Sequence, residues 1–332
     1  MREAKQEYPL ARRALPVWSG GISTKQSSIF FCLTNLKIYD IIINMKILFD
    51  THTHSNLSDG ANSPSEMLRA ANKRGLKVLA LTDHFDLHKN FPKELSMFDG
   101  GGREKSYLAL SRTKKASLEL DSPENTATIF LKGVEIGQAH HFKEYAESWL
   151  NSHEYDMILG SCHIIRNKGD FYHMDYSKPE NAPDTVLKQY FEELIELCEW
   201  CGEFKKTSPK GDKAFDVLAH LTYPLRYMKA KGVDASVNEH LKAIDTLFEI
   251  MVKHEIALEI NTQTYLQSII CPELTQVKRF REFGGKLITI GSDAHNADTL
   301  AQGLNHGIKI AKAAGFNECV YYEERQPKSI QI

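Results

Sequence analysis

Residues 46–54 read Lys46-Ile47-Leu48-Phe49-Asp50-Thr51-His52-Thr53-His54, a short apolar run that ends in two histidines one residue apart. The run reads as a buried strand. Side chains alternate along a strand, so His52 and His54 leave its end on the same face, where two imidazoles can grip one metal ion. Ser58-Asp59-Gly60 follows, and a second apolar run then closes on Leu81-Thr82-Asp83-His84. Four potential ligands thus fall just after two predicted strands, the pattern of a hydrolytic metal site.

Strand-like and helix-like stretches alternate from Met45 onward, with no Pro/Gly/Ser linker long enough to divide domains. One α/β unit over 45–332 is expected. Strands are predicted at 46–50, 77–81, 128–136, 156–161, 215–219, 257–261 and 286–291, with a further one at 318–322. Seven or eight parallel strands suggest a barrel. The first crossover shows the logic: Ser63-Pro64-Ser65-Glu66 offers a cap, a proline at the first helical position and a capping-box Glu, and Gly75 stands at the end. Residues 87–125 are less regular, with Gly100-Gly101-Gly102 ahead of a charged helix at 104–120, and are expected to form a flap near the mouth. Residues 164–183 make a second long connection, in which Asp170, Phe171 and Tyr172 suit a lid.

Polar residues end nearly every apolar strand. They are His52, His54 and Asp59; His84; Glu135 in Gly133-Val134-Glu135-Ile136; His163 in Gly160-Ser161-Cys162-His163; His220 in Asp216-Val217-Leu218-Ala219-His220; and Asp293 with His295 in Gly291-Ser292-Asp293-Ala294-His295. In a parallel barrel those ends share one mouth. A single histidine at a strand end is more often a hydrogen-bonded structural residue than a ligand. Six imidazoles and three carboxylates together are not, because burying them without compensation is costly and divalent cations supply the missing charge. Imidazole and carboxylate without thiolate suit zinc, iron or manganese. Cys162 points to the opposite face from His163 and is expected in the core.

These motifs, in this order, resemble those of the polymerase and histidinol phosphatase (PHP) family of metallophosphoesterases, and the likeness runs from Lys46 to about Ala313. The resemblance implies a distorted (βα)7 TIM-like barrel with a centre of three divalent ions. Carried over position by position, it gives the first ion to His52, His54, Glu135 and Asp293. Glu135 would bridge to a second ion completed by His163 and His220, and Asp59, His84 and His295 would hold the third. Asp59 stands where some relatives use His, which leaves the preference of that third site open. Three dications against Asp59, Glu135 and Asp293 leave about three positive charges, suited to a phosphate dianion and a hydroxide made available as bound water falls from a pKa of about 15.7 to about 7. The implied catalytic set is His52, His54, Glu135, His163, Asp293 and His295. Asp83 and Asp86 are weak candidates for protonating the leaving alkoxide.

Within the family, the length after Met45 and the run His220-Leu221-Thr222-Tyr223-Pro224-Leu225-Arg226-Tyr227 look most like the histidinol phosphatases, which hydrolyse L-histidinol phosphate to L-histidinol and phosphate. Arg226 can present a planar fork to a phosphate, the alternative being a surface salt bridge. Arg166 is a second candidate, against a solvated loop charge. Asn261 ends another strand and could contact substrate, with Glu259 one layer deeper in a substrate or structural role. One of His140, His141, His153, His173 and Tyr172 could recognise an imidazole; most are expected at the surface.

Composition narrows the alternatives. Forty-one basic against 43 acidic residues and a pI near 6.7 give no global basic footprint for nucleic acid or an anionic membrane, so a small phosphorylated metabolite is the expected partner. A nuclease or nucleotide phosphatase is the competing enzyme reading, and a degenerate domain that binds metal only for stability the non-enzymatic one. Six scattered cysteines read as reduced, in a cytoplasmic protein, and Cys198-x-x-Cys201 falls inside a helix predicted at 182–203, where packing outweighs redox chemistry. Homodimerisation stays open. Residues 1–44 keep neither helical nor strand periodicity and carry no signal-like or membrane-length apolar run. The expectation is a disordered extension or a start-site artefact with translation beginning at Met45, which mass spectrometry of the native N-terminal peptide tests.

Overall fold

The structure is a computed structural model that describes residues 49–87, 128–267 and 270–332. Eight strand segments run parallel: β1 (Phe49–Asp50), β2 (Val78–Leu81), β3 (His84–Asp86), β4 (Ile129–Gly137), β5 (Met157–Ser161), β6 (Val217–Leu218), β7 (Ala257–Asn261) and β8 (Ile288–Gly291). Val78 pairs with Ile129 of β4 and His84 with Glu135, so β2 and β3 are two halves of one strand, parted at Thr82-Asp83. Seven barrel strands result. The ring closes between its first and last members, where Asp293 N–H donates to His52 O at 2.8 Å and His54 N–H to Ala294 O at 2.9 Å. The fold is a distorted (βα)7 barrel.

Helices wrap the outside in the order the alternation predicts: α1 (Pro64–Lys73), α2 (Lys143–Ser152), α3 (Pro183–Phe204), α4 (Tyr223–Ala230), α5 (Leu241–Lys253), α6 (Leu274–Glu282) and α7 (Leu304–Ala313). Ser63 caps α1 with Glu66 completing the capping box and Pro64 in the first turn. In α3 the buried positions Val186, Tyr190, Leu194, Leu197 and Cys201 recur every three or four residues, the stripe of a helix laid against a sheet. Each such side chain contributes about 1.5–3 kcal/mol by leaving water. Cys198 and Cys201 are free thiols on this helix, both fully buried, and burial pushes Cys201 up to about 12, so no thiolate forms for redox work. Cys162 is likewise fully buried.

The strand expected at 318–322 departs from the barrel pattern. It forms β9 (Glu318–Glu323), but pairs antiparallel with β10 (Gln326–Gln331) in a separate two-stranded sheet. Glu324 and Arg325, at φ 51° and 64°, make a two-residue turn whose twist suits a hairpin. Its tip docks where β5 and β6 begin: Arg325 N–H donates to Asp156 O at 2.9 Å, and its guanidinium meets the buried Asp216 carboxylate at 2.7 Å. The hairpin therefore lies at the end of the barrel opposite the mouth. The segment 1–44 and the charged helix at 104–120 lie outside the described residues. Among the described residues, no helix is long and apolar enough to cross a membrane.

Candidate metal centre

Because the strands are parallel, the nine polar residues that end them are delivered to one mouth. Glu135, on β4, sits at its middle and is buried. Its Oε2 faces His52 Nε2 at 3.3 Å and His84 Nδ1 at 3.0 Å, while its Oε1 faces His163 Nε2 at 3.0 Å and His220 Nε2 at 2.8 Å. One carboxylate thus addresses two groups of imidazoles, one oxygen to each. Asp293 Oδ1 lies 3.1 Å from His54 Nε2 and 3.7 Å from His52 Nε2. The third group is closer to solvent: Asp59 meets His84 at 3.6 Å and His295 at 3.3 Å, and the rings of His54 and His295 lie 4.3 Å apart. The sets His52–His54–Glu135, Glu135–His163–His220 and His54–Asp59–His84–His295 each bring their donor atoms within 4.8 Å of one another.

The hydrogen bonds behind the rings reveal what the mouth is made to hold. His52 Nδ1 lies 2.6 Å from Glu259, and His163 Nδ1 lies 2.9 Å from Asp86. A carboxylate accepts, so each Nδ1 carries the proton and each Nε2 turns a lone pair toward the mouth. There the lone pairs meet carboxylate oxygens: His52 Nε2 faces Glu135 Oε2 at 3.3 Å, and His163 Nε2 faces Glu135 Oε1 at 3.0 Å. Such facing acceptors repel unless positive charge stands between them, and the carboxylate–imidazole pairing behind is how ligand histidines are usually held. The donor set therefore fits divalent cations.

Without such ions, protons answer the same demand. Burial opposes charge on His84, but Asp59 and Glu135 push its pKa up to about 9. Burial likewise opposes charge on His52 and His163; Glu259 with Asp293 in the first case, and Asp86 with Glu135 in the second, raise both well above the ordinary value. His54 goes the other way, lowered to about 4 by burial and by its neighbours His84 and His295. Two donors also sit on strained backbone, His220 at φ 29° and Asp293 at φ 52°. Left-handed conformations in non-glycine residues cost of order 1–3 kcal/mol each and gather at functional sites.

Other residues singled out from sequence divide between the mouth and elsewhere. Arg226 is buried, stacked over Tyr223 with its guanidinium carbon 4.7 Å from the ring centroid; it donates to Asn261 Oδ1 at 3.2 Å and to Gln263, and lies 3.3 Å from Asp293 Oδ2. Asn261 has both ends of its amide engaged, since Nδ2 also donates to Asp293 Oδ2 at 3.2 Å. The geometry suits it to positioning Arg226 and Asp293. Arg166 forks onto Glu196 of α3 at 2.5 and 2.9 Å, a salt bridge rather than either the phosphate contact or the solvated loop charge expected of it. His140 and His141 both turn to Glu193, and His153 stacks on Trp149. Phe171 is fully buried against Tyr190 and Tyr223 and pins the 164–183 connection, leaving Tyr172 outside.

Two expectations change character. Asp83 accepts from Ser55 N at 2.7 Å, Ser55 Oγ at 2.8 Å and Ser58 Oγ at 2.7 Å, which makes it the brace of the loop carrying Asp59. Asp86 faces burial that favours its neutral form, yet His163 holds its pKa below the ordinary value. Both are acceptors, poorly suited to donate a proton. Gly137 makes the Asp86 contact possible, because a β-carbon there would overlap Asp86 Oδ1. Glu259 takes the structural one of its two expected roles; that it orients His52, and Asp86 His163, has no local signal beyond a polar residue on the inward face of a strand.

The fold and donor set are those of a barrel hydrolase with metal-capable clusters at its mouth. More particularly, the chain belongs to the PHP family: residues 50–263 match the PHP domain. It is 30% identical over 285 residues to a probable histidinol-phosphatase of Clostridium acetobutylicum, covering 85% of this chain and 99% of that one. A probable histidinol-phosphatase of Thermotoga maritima is 26% identical over 271 residues, covering 81% and 93%. Among solved structures, histidinol phosphate phosphatase from Lactococcus lactis, complexed with zinc, L-histidinol and phosphate, superimposes with a TM-score of 0.59 at 20% identity, covering 85% of this chain and 98% of that one.

Proposed function

We propose that this protein is a histidinol-phosphate phosphatase, a phosphoric monoester hydrolase that converts L-histidinol phosphate and water to L-histidinol and phosphate. The observation that carries the reading is coverage: a histidinol-phosphatase relative aligns over 99% of its own length and 85% of this chain, and the PHP match over residues 50–263 contains the mouth donors from His52 to His220. The further reading is of three divalent ions, zinc, iron or manganese. The first would rest on His52, His54, Glu135 and Asp293, the second on Glu135, His163 and His220, and the third on Asp59, His84 and His295. Such ions, when bound, supply a water acidic enough to attack at neutral pH and offset the charge of the phosphoryl group.

The chain's own residues do the rest. Glu135 holds the two inner groups at a fixed spacing, and Glu259 and Asp86 keep His52 and His163 in the tautomer that turns Nε2 inward. Arg226, held by Asn261 and Gln263, presents charge beside Asp293, where a phosphate oxygen would approach. The water oxygen forms the new bond to phosphorus as the bond to the histidinol oxygen breaks, and the proton that the water gives up is the one the leaving oxygen gains.

The test is phosphate release by the purified protein from histidinol phosphate, nucleoside monophosphates and a generic aryl phosphate. Histidinol phosphate is expected to give the highest kcat/KM; far greater efficiency on nucleotides would overturn the assigned substrate. Replacing Arg226 with Lys keeps the charge and loses the fork, and is expected to lower kcat/KM about tenfold. Unchanged kinetics would take Arg226 out of the site.

A further inference from the structure

Behind the mouth lies a carboxylate that would itself hold no ion and whose reach extends beyond His52. Glu259, on β7, is fully buried. Three donors converge on it: His52 Nδ1 at 2.6 Å on Oε1, and His220 backbone N–H at 2.8 Å and Asn261 Nδ2 at 3.3 Å on Oε2. Those contacts reach both inner groups of imidazoles, since His52 belongs to one and His220 to the other. The His220 bond clasps a backbone already in the left-handed region, at φ 29°. Through Asn261, whose amide also donates to Asp293 Oδ2, the same carboxylate reaches a third donor. Space for it comes from Gly291 on the adjacent strand: a β-carbon there would overlap both Glu259 Oε1 and His52 Cβ.

We propose that Glu259 is a positioning residue that fixes the tautomer of His52 and the backbone of His220, and thereby sets the affinity of both inner groups for divalent cations. The inference rests on the metal reading of the mouth. Its chemistry is one of matched donors and acceptors. With a carboxylate at 259, all three facing groups can donate. With an amide, one oxygen becomes an NH2 that must face either the His220 N–H, a donor against a donor, or His52 Nδ1. In the latter case the imidazole proton moves to Nε2 and the lone pair at the mouth is lost. The contacts of Glu259 run to His52, His220 and Asn261, so the effect is expected at the inner groups, with the outer group of Asp59, His84 and His295 keeping its affinity.

The test uses the full chain stripped of metal, titrated with Mn²⁺ by calorimetry below the melting temperature of each variant, with bound metal counted by mass spectrometry. Glu259→Gln is expected to weaken the inner-group binding about 10- to 100-fold, with the outer-group binding retained. Nitrogen-15 spectra of the metal-free proteins, taken at a pH high enough to leave His52 neutral, should move its proton from Nδ1 to Nε2 where the amide turns its NH2 to Nδ1, a readout that loss of packing alone does not produce. If Glu259→Gln fails to fold, Glu259→Asp, which keeps the charge but draws the carboxylate back by one methylene, is expected to show a smaller loss. Wild-type affinity and metal count in a folded Glu259→Gln, or in Glu259→Asp where that variant stands in, would overturn the role of Glu259. Failure of the wild type to take up Mn²⁺ would instead overturn the metal reading and this inference with it, so the two failures are distinct.

Discussion

Replacing Glu135 with Gln is expected to reduce phosphate release from histidinol phosphate by on the order of 10³-fold or more, with the circular dichroism of the folded barrel retained. The size follows from where the two carboxylate oxygens point. Oε1 stands 2.8 and 3.0 Å from His220 and His163, and Oε2 stands 3.3 Å from His52 and 3.0 Å from His84. Among the described residues, no other mouth carboxylate faces both inner groups with one oxygen each. An amide keeps the shape, but it withdraws the negative charge and turns an NH2 toward one group. The barrel should survive, since Glu135 lies at the mouth while the core is held by apolar side chains such as Leu79, Val134, Leu159 and Leu258, all fully buried. Activity near that of the wild type in Glu135→Gln would sink the assignment of Glu135 as the shared ligand.

Much of this arrangement was legible because its signals are local. An apolar run that ends in His52-Thr53-His54 is a strand end by alternation alone, and the same reading placed His84, Glu135, His163, His220 and Asp293 at a common end once the strands were taken as parallel. Ser63, Pro64 and Glu66 set the start of α1 without help from the rest of the fold. What escaped depends on contacts between distant segments. Glu259 meets His52 across a separation of 207 residues, and no spacing along the chain marks that pair. Arg166 reads as a cation near a ligand histidine, yet its partner Glu196 is set by how α3 lies against the loop. The residues 318–322 carry strand propensity in either setting. Their exclusion from the barrel comes from the two left-handed residues of the turn and from Arg325 meeting Asp216.

Stripping divalent ions is expected to abolish turnover and to give the protein a melting temperature that falls as pH rises from about 6.5 to about 9. The sign comes from the histidines. In metal-free protein, His84 is raised to about 9 by Asp59 and Glu135 against the opposing effect of burial, and His52 and His163 are raised as well. A raised imidazole contributes stability that is fully present below its unfolded pKa of about 6.5 and is lost as pH climbs through the folded value. Two further groups act below that window: His54, lowered to about 4, adds stability as pH rises between about 4 and 6.5, and Asp50, pushed by burial up to about 6, has lost its contribution by the time pH passes that value. Between about 6.5 and 9 the metal-free protein should therefore lose about 5 °C or more. Metal reverses the dependence. Divalent ions need the neutral imidazoles, so protons compete with them, and stabilisation by Zn²⁺ or Mn²⁺ should grow over the same interval as protons leave the mouth. Thermal melts at pH 6.5, 7.5 and 9, with and without added metal, check both slopes. A metal-free melting temperature that rises with pH would show that the mouth imidazoles do not hold protons in place of cations, and the account of its electrostatics would fail.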